Sequence, residues 1–221
     1  MKKISAVIFD MDGLLIDTET PSKIAWQTTA AQFGKSIDDD LLEGLIGRHV
    51  SDCIAIVGKS LGIDLRESGF MDRYDDIYLS NFMRKGIEVK RGAVPLLKAL
   101  SEKKVPRAVV TSSEKGLAPR KLRLAGLEQY FDLVVTGCEV EKSKPEPDIF
   151  LLAAEKMAVE PADCLALEDS YNGVRAASRA GMNPVMIPDL LKPNDEMLDL
   201  TEAIFSSLEK ATPYILRRLE G

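Results

Sequence analysis

The chain has 221 residues, of which 45% are hydrophobic, so it can bury a substantial core as one large domain or as one domain with a smaller insertion. Its formal net charge of -6 argues against nucleic acid or an anionic membrane as a partner, and an anionic substrate must therefore meet a local cation. The first apolar run, residues 4–9, is too short for a signal sequence or a membrane span, which predicts a cytoplasmic protein. No segment demands a protein partner, and a monomer is the default expectation.

Short apolar runs alternate with segments of helical periodicity along most of the chain. Apolar runs without polar alternation are typical of parallel strands that are covered on both faces. They lie at residues 6–9, 108–110, 133–135, 164–167, 185–187 and 203–205. Helical periodicity marks residues 94–103, 117–125, 149–157 and 174–180. The alternation predicts an α/β fold with a doubly wound parallel sheet.

Residues 17–87 break this alternation. The segment has no comparable apolar run, and its apolar residues suit several helices. We therefore predict a helical domain inserted after the first strand, while residues 1–16 and 88–221 form the sheet domain. Gly86 and the stretch Lys90-Arg91-Gly92 provide the predicted return linker.

Carboxylates, hydroxyls and an amine follow the first four predicted strands. In chain order they are Asp10-Met11-Asp12-Gly13, then Thr111-Ser112-Ser113, then a loop with Lys144-Pro145, and finally Glu168-Asp169-Ser170. Ligands of open α/β sheets collect beyond the carboxyl ends of the strands. We therefore expect these side chains to converge at one edge of the sheet.

Asp10 and Asp12 are two residues apart, so an extended chain would point both carboxylates to the same side. Asp10 is a candidate nucleophile that would form an aspartyl-phosphate, and Asp12 a candidate acid and base for the leaving alcohol and the attacking water. An alternative with about equal local support is that Asp12-Gly13 forms a hairpin turn, and the two interpretations are compatible. An EF-hand is excluded because its glycine stands at the sixth loop position, whereas Gly13 would be the fourth.

Glu168 and Asp169 add carboxylates where the first pair needs a counterion. Hard oxygen ligands suit Mg²⁺, which would join Asp10 to a substrate phosphate and reduce their mutual repulsion. The alternative is that Asp169 or Ser170 caps a helix that begins near Tyr171. The predicted proximity of Asp10 favours the metal site.

The remaining polar groups suit a phosphate. The Thr111 hydroxyl and the backbone N–H groups that follow it, including that of Ser112, could hold phosphate oxygens at a helix start. Ser112 or Ser113 as a simple helix cap explains the local sequence equally well. Lys144 is the cation expected to offset the phosphate and the acidic cluster, although a loop lysine is usually solvated.

These residues, in this order, resemble the four motifs of the haloacid dehalogenase superfamily. The motifs correspond to residues 9–19, 110–113, 144–148 and 167–173. The resemblance spans the sheet domain almost from end to end. It implies a Rossmann-like core with an α-helical cap inserted after the first motif, as in the β-phosphoglucomutase-like subgroup.

The resemblance also implies a role for each motif residue. It makes Asp10 the nucleophile and a Mg²⁺ ligand, and Asp12 the acid and base with its backbone carbonyl on the metal. It makes Asp169 a ligand, and Glu168 a ligand or a partner of the ligands. The implied phosphate binders are Thr111 and Lys144. The implied function is Mg²⁺-dependent hydrolysis of a small phosphate monoester.

The cap departs from the β-phosphoglucomutase pattern. Residues 20–22 are Thr-Pro-Ser, where those mutases commonly carry a histidine. This departure favours a sugar-phosphate phosphatase over a phosphosugar mutase, which stays as an alternative. The only histidine is His49, and Arg48 and His49 could face the substrate or belong to a solvated loop.

A binding module and a dinucleotide-binding enzyme are two further classes of function with less support from the sequence. A non-catalytic module that binds a phosphorylated ligand is a second alternative, although pure binding needs no acid and base beside a nucleophile. A dinucleotide-binding enzyme is disfavoured because the first predicted strand is not followed by a Gly-x-Gly-x-x-Gly turn.

Overall fold

The computed structural model describes residues 3–48, 50–113 and 115–220, with only the backbone described for residues 81–85. The described residues form six strands and ten α-helices. The strands are β1 Ala6–Phe9, β2 Arg107–Thr111, β3 Leu133–Thr136, β4 Cys164–Glu168, β5 Asn183–Met186 and β6 Ala203–Ile204. The helices are α1 Glu19–Gln32, α2 Asp39–Glu43, α3 Val50–Leu61, α4 Phe70–Lys85, α5 Ala93–Glu102, α6 Leu117–Leu124, α7 Asp148–Lys156, α8 Tyr171–Arg179, α9 Asp195–Leu200 and α10 Leu208–Glu220.

The six strands form one parallel sheet in the order β3-β2-β1-β4-β5-β6. The first strand therefore lies in the middle, between β2 and β4. Phe9, the last residue of β1, pairs with Val109 of β2 and Leu167 of β4. Because all strands run in the same direction, the segments that follow β1, β2 and β4 emerge side by side at one edge. The prediction of an α/β fold with a doubly wound parallel sheet is confirmed.

Helices cover both faces of the sheet, which is why the interior positions of its strands are apolar. Val7 and Phe9 point into the cluster that contains buried residues of α5, α6 and α10. Ala6 and Ile8 point the other way, into a cluster with residues of α7 and α8. Complete burial of one large side chain such as Phe9 contributes about 1.5–3 kcal/mol.

The region between β1 and α5 contains the helices α1 to α4. An aromatic cluster holds α1 against α4, with ring centroids of Trp26 and Tyr74 4.4 Å apart and those of Phe33 and Phe70 5.1 Å apart. The chain enters and leaves this region through adjacent segments, since Ile16 forms an antiparallel bridge with Val89. Both connections to the sheet therefore lie at one place.

The observed strands differ from the predicted ones mainly at their ends. β2 begins at Arg107, one residue before the predicted apolar run. Its guanidinium is buried, and it donates hydrogen bonds to the carbonyl oxygens of Val105 and Tyr130. An apolar run cannot reveal such a residue, because here a charged side chain is satisfied by backbone oxygens. In the described part of the chain, no helix combines the length and apolar character needed to cross a membrane.

Candidate active site

The carboxyl edge of the sheet forms the floor of a cavity of about 900 Å³, and the helical region between β1 and α5 contributes its walls. Asp10, Asp12, Ser112 and Asp169 line this cavity at the sheet edge. The other predicted site residues of the sheet edge, Thr111, Lys144 and Glu168, are buried around this floor. The topology thus brings together the groups that the sequence placed after four separate strands.

Lys144 is buried between two carboxylates. Its Nζ donates to Asp10 Oδ1 at 2.5 Å and to Glu168 Oε1 at 2.6 Å. Burial alone would lower the pKa of Lys144, but the charges of Asp10 and Glu168 outweigh it and raise the pKa above its ordinary value. Lys144 is therefore a fixed cation at the end of β1 and not a solvated loop residue.

Glu168 uses its second oxygen to order the segment that follows β4. Oε2 accepts hydrogen bonds from the backbone N–H of Asp169 at 3.1 Å and from the N–H and Oγ of Ser170 at 3.2 and 3.0 Å. Ser170 in turn caps α8 by accepting from the N–H of Gly173. A Cβ at Gly173 would lie 1.8 Å from Glu168 Oε1, so only glycine allows α8 to start this close. The predicted cap at Ser170 and the acidic cluster thus coexist.

Three buried carboxylates, those of Asp10, Glu168 and Asp169, have oxygens that lie within 4.8 Å of one another. Burial raises the pKa of Asp10 and of Asp169 well above the usual value, and repulsion among the three carboxylates raises both further, while Lys144 opposes the rise at Asp10. Asp10 Oδ2 is buried and accepts no hydrogen bond from the described residues. Excess negative charge, hard oxygen donors and an unsatisfied oxygen fit a divalent cation such as Mg²⁺.

The turn after β1 brings the chain close to Asp169. Gly13 has φ of +88°, and a Cβ there would lie 2.2 Å from Asp169 Oδ2. Its N–H donates to the carbonyl oxygen of Ile16 at 2.9 Å, so a tight turn is present. The alternative of a hairpin is wrong, because β1 pairs with the parallel strands β2 and β4 and the bridge between Asp12 and Ile16 is also parallel. The turn instead brings Gly13 against Asp169.

The carboxylate of Asp12 lies in a different environment. Oδ1 accepts from Thr18 Oγ1 at 2.8 Å and from Lys121 Nζ at 2.7 Å. Oδ2 accepts from Thr111 Oγ1 at 2.8 Å and from Ser113 Oγ at 2.9 Å. Burial alone would raise the pKa of Asp12, but Lys121 and the hydroxyl donors lower it below the usual value. Asp12 is thus an ionised carboxylate with donors on both oxygens.

The segment after β2 supplies hydroxyls but no side-chain helix cap. The residue before α6 is Gly116, and no side chain there caps the helix. Ser112 lines the cavity, whereas the hydroxyls of Thr111 and Ser113 are bonded to Asp12. The prediction that Ser112 or Ser113 acts as a simple cap is therefore wrong, because the cavity and Asp12 take these side chains.

Residues 7–187 match the haloacid dehalogenase-like hydrolase family. The chain belongs to this family. The matched segment covers both the sheet edge and the inserted helices that line the cavity.

Relatives of this hydrolase include two curated phosphatases. A phosphorylated carbohydrates phosphatase of Thermotoga maritima is 33% identical over 182 residues, which cover 82% of this chain and 84% of that protein. A fructose-1-phosphate phosphatase of Escherichia coli is 31% identical over 186 residues, which cover 83% of this chain and 96% of that protein. A β-phosphoglucomutase structure from Clostridium difficile shares the fold, with a TM-score of 0.83 at 23% identity over 98% of this chain and 97% of that one.

The two predicted cap residues have different outcomes. Arg48 lines the cavity, is exposed, and donates from Nε to the carbonyl oxygen of Gly44 at 2.6 Å. His49 lies outside the described residues. Next to Arg48, the loop approaches the sheet edge, since a Cβ at Gly47 would lie 2.6 Å from Ser170 Oγ.

Sequence reasoning placed Ser113 at the sheet edge but did not connect it with Asp12, and it assigned no site role to Thr18, Lys121 or Glu19. Thr18, Ser113 and Lys121 bond to Asp12, and Glu19 lines the same cavity. Burial raises the pKa of Glu19 to about 7, and the charge of Asp12 adds to the rise. One signal was available: Lys121 stands with Ala118 and Leu122 on the buried face of α6, where a lysine needs a partner.

Proposed function

We propose that this chain is a Mg²⁺-dependent phosphatase that hydrolyses a small sugar phosphate through an aspartyl-phosphate on Asp10. The observation that carries the proposal is the pair of carboxylates at the end of β1. Asp10 points towards a cation-deficient acidic cluster, and Asp12 points towards hydroxyl and ammonium donors. The surroundings of Asp10 suit a nucleophile beside a metal ion, and those of Asp12 suit an acid and base. The names of the two curated relatives support phosphorylated carbohydrates as the substrate class.

In the first step, an Asp10 oxygen forms a bond to phosphorus while the bond from phosphorus to the leaving alcohol oxygen breaks. Asp12 is ionised in the free site, and the negative charge of a bound phosphate favours its protonation before this step. The electron pair of the broken bond passes to the alcohol oxygen, which takes that proton from Asp12. In the second step, water attacks the phosphorus and gives its proton to Asp12. The bond from phosphorus to Asp10 breaks, and inorganic phosphate and the Asp10 carboxylate are restored.

The acidic cluster supplies the metal site in this proposal. Asp10 and Asp169 would hold Mg²⁺ with the backbone carbonyl of Asp12. Both oxygens of Glu168 already accept hydrogen bonds, so we assign Glu168 mainly to the support of Lys144 and of the Asp169 segment. When bound, Mg²⁺ stabilises the negative charge on the transferring phosphoryl group and reduces its repulsion by Asp10.

Phosphate oxygens would be held by Lys144, by the Thr111-Ser112 segment and by the N–H groups that follow β2. Lys144 already contacts the nucleophile, so its ammonium lies where a phosphoryl group on Asp10 would develop charge. Ser112 faces the cavity directly. The Thr111 hydroxyl gives its one hydrogen to Asp12, so we assign this side chain to the support of Asp12 and leave phosphate binding in this segment to Ser112 and the backbone N–H groups.

We further propose that residues 17–87 act as a cap over a core of residues 1–16 and 88–221. The adjacent entry and exit segments, joined at Ile16 and Val89, support this division. A cap that closes over the cavity would exclude water during the first step and admit it for the second. Arg48, on the cap wall of the cavity, would then contact the leaving group.

A mutase is less well supported than a phosphatase. In the segment where β-phosphoglucomutases commonly carry a histidine, Ser22 bonds to the hydroxyl of Tyr74 at 2.9 Å. A serine hydroxyl in that contact offers no imidazole for proton transfer at neutral pH. The Clostridium difficile structure with a mutase name is 23% identical to this chain, so its likeness supports the fold alone and not the mutase activity.

The test is release of inorganic phosphate from a panel of sugar and small-metabolite monophosphates with Mg²⁺. We expect the wild type to hydrolyse at least one ester, and Asp10→Asn to lower turnover by at least about 10⁴-fold because the amide is a poor nucleophile. Asp40→Asn, which removes an exposed aspartate of α2, is the matched control and should leave turnover unchanged. Near wild-type activity of Asp10→Asn would refute the nucleophile. Inactivity of the wild type on every monophosphate would favour a mutase or a binding module.

A further inference from the structure

The four sequence motifs do not account for Lys121, although it lies in the site. It is on α6, and its side chain is only 7% exposed. The described residues around it place its Nζ 2.7 Å from Asp12 Oδ1, 3.1 Å from Ser113 Oγ and 5.7 Å from the centroid of the Tyr78 ring. A buried lysine on the apolar face of a helix loses hydration, so its place in the fold depends on these partners.

Lys121 contacts both oxygens of the Asp12 carboxylate, one directly and one through a hydroxyl. The direct contact is to Oδ1. Ser113 Oγ accepts from Lys121 and donates to Oδ2 at 2.9 Å. A carboxylate held at both oxygens from one side has a fixed plane and a fixed direction. Thr18 donates to Oδ1 and Thr111 donates to Oδ2. Among the described contacts of the Asp12 carboxylate, only that of Lys121 brings a positive charge.

We propose that Lys121 is a positioning residue that fixes the orientation of Asp12 for proton transfer to the leaving alcohol. The proposal rests on the proposed phosphatase function and deepens it. Lys121 acts through Asp12 and not through the metal cluster, because its described contacts lie on the Asp12 side while Lys144 serves Asp10 and Glu168. The site then has one ammonium for each of its two working carboxylates.

This role predicts a dependence on the leaving group that a merely structural role would not produce. A sugar alkoxide is a poor leaving group and needs the proton from Asp12, whereas 4-nitrophenolate leaves without one. The ratio kcat/KM reports only the steps up to departure of the leaving group. We therefore expect Lys121→Met to lower kcat/KM for the best sugar monophosphate by about 30- to 100-fold, and for 4-nitrophenyl phosphate by less than about threefold.

Three further variants make the test decisive. Arg120→Met removes an exposed cation from the same helix and should leave kcat/KM unchanged for the sugar ester and for 4-nitrophenyl phosphate. In an Asp12→Asn background, Lys121→Met should cause no further loss on the sugar ester, because residues that act as one unit are not additive. Lys121→Arg keeps the charge in a different geometry, and it should show the same selectivity for the sugar ester with a smaller loss. If Lys121→Met does not fold, Lys121→Arg alone gives the comparison between the two esters.

The outcomes separate this proposal from the function on which it rests. Equal losses on both esters would show that Lys121 binds phosphate or only supports the fold, and they would overturn the positioning role. So would unchanged ratios for both esters, or additive losses in the Asp12→Asn background. Failure of the phosphatase function itself would be seen in the wild type, as no phosphate release from either ester.

Discussion

Asp10 and Asp12 are two residues apart in the chain, yet their carboxylates lie in opposite electrostatic environments. Asp10 shares its surroundings with Glu168 and Asp169, and Lys144 is the ammonium between them. Asp12 meets one ammonium and three hydroxyls from Thr18, Thr111 and Ser113. Consequently the pKa of Asp10 is raised by burial and repulsion, while the pKa of Asp12 is lowered by its donors despite burial.

The difference shows how one loop can supply two chemical roles. On the Asp10 side, three carboxylates exceed the charge of Lys144, and a further cation would balance this excess negative charge. On the Asp12 side, the protein itself satisfies the carboxylate, so this half is preorganised without a metal. The two halves should therefore respond differently to loss of a lysine, to Mg²⁺ and to pH.

The largest expected effect is that of Lys144→Met. The change leaves the buried carboxylates of Asp10 and Glu168 without their ammonium, and breaking a buried ion pair costs about 3–5 kcal/mol. We expect urea unfolding to show this loss, and phosphate release to fall by about 10²- to 10³-fold because the transferring charge loses its cation. The exposed Lys142 on the same loop gives the matched control, Lys142→Met, which should change neither quantity.

Lys121→Met provides the contrast within the site. Asp12 would keep its three hydroxyl donors, so the loss of stability should be smaller, on the order of 1–2 kcal/mol. Equal losses of stability in Lys144→Met and Lys121→Met would contradict the proposed difference between the Asp10 side and the Asp12 side of the site.

Much of the site could be predicted from sequence because parallel strands end at a common edge. Asp10, Thr111 and Glu168 each end or follow an apolar run, and the sheet places β1 between β2 and β4. The strand order itself was not predicted, since apolar runs give strand positions and not their neighbours. α7 and α8 begin before their apolar periodicity does, at Asp148 and Tyr171, and each ends one residue before the predicted segment. The start at Tyr171 agrees with the helix cap that the sequence suggested at Ser170.

The Asp12 half was harder to predict because its partners come from three separate places. Thr18 follows the turn after β1, Ser113 follows β2, and Lys121 lies within a helix that also carries Arg120 and Arg123. Composition does not distinguish these three cations. Their positions on the helix distinguish them, because Lys121 lies on the buried face of α6 with Ala118 and Leu122.

The next prediction concerns the stabilisation of the fold by Mg²⁺, with the protein in EDTA as the reference state. At a concentration about 100 times the dissociation constant, Mg²⁺ should stabilise the wild type by about 2.7 kcal/mol, seen as a rise in Tm. Asp169→Asn should lose most of this response because Asp169 belongs to the acidic cluster. Asp12→Asn is the informative control. It should keep the response, because the carboxylate of Asp12 points to its hydroxyl and ammonium donors. A Mg²⁺ response lost in Asp12→Asn but kept in Asp169→Asn would reverse the assignment of the two halves.

The smallest expected effect comes from Glu19, the acid that faces the cavity beside the Asp12 half. Burial and the charge of Asp12 raise its pKa to about 7 from an ordinary value of 4.5, so the folded state holds this proton more tightly than the unfolded state. The raised pKa of Glu19 therefore does not lower the free energy of unfolding below about pH 4.5. The loss of stability grows as the pH rises to about 7 and stays constant above that.

The rise in pKa corresponds to about 3 kcal/mol for a fully buried group, and Glu19 is only half-buried, so solvent screens part of it. Glu19→Gln should therefore be more stable than the wild type by on the order of 1–2 kcal/mol at pH 8, and the two proteins should match near pH 4.5. Urea unfolding of both proteins in EDTA across this range measures the difference. The difference includes the part of the Asp169 pKa rise that the charge of Glu19 causes, which acts in the same direction. Glu43→Gln, at an exposed carboxylate of α2, should track the wild type at every pH. A constant offset between Glu19→Gln and the wild type would mean that Glu19 ionises normally. The Asp12 charge would then be too well screened by Lys121 and its hydroxyl donors to reach the neighbouring acid.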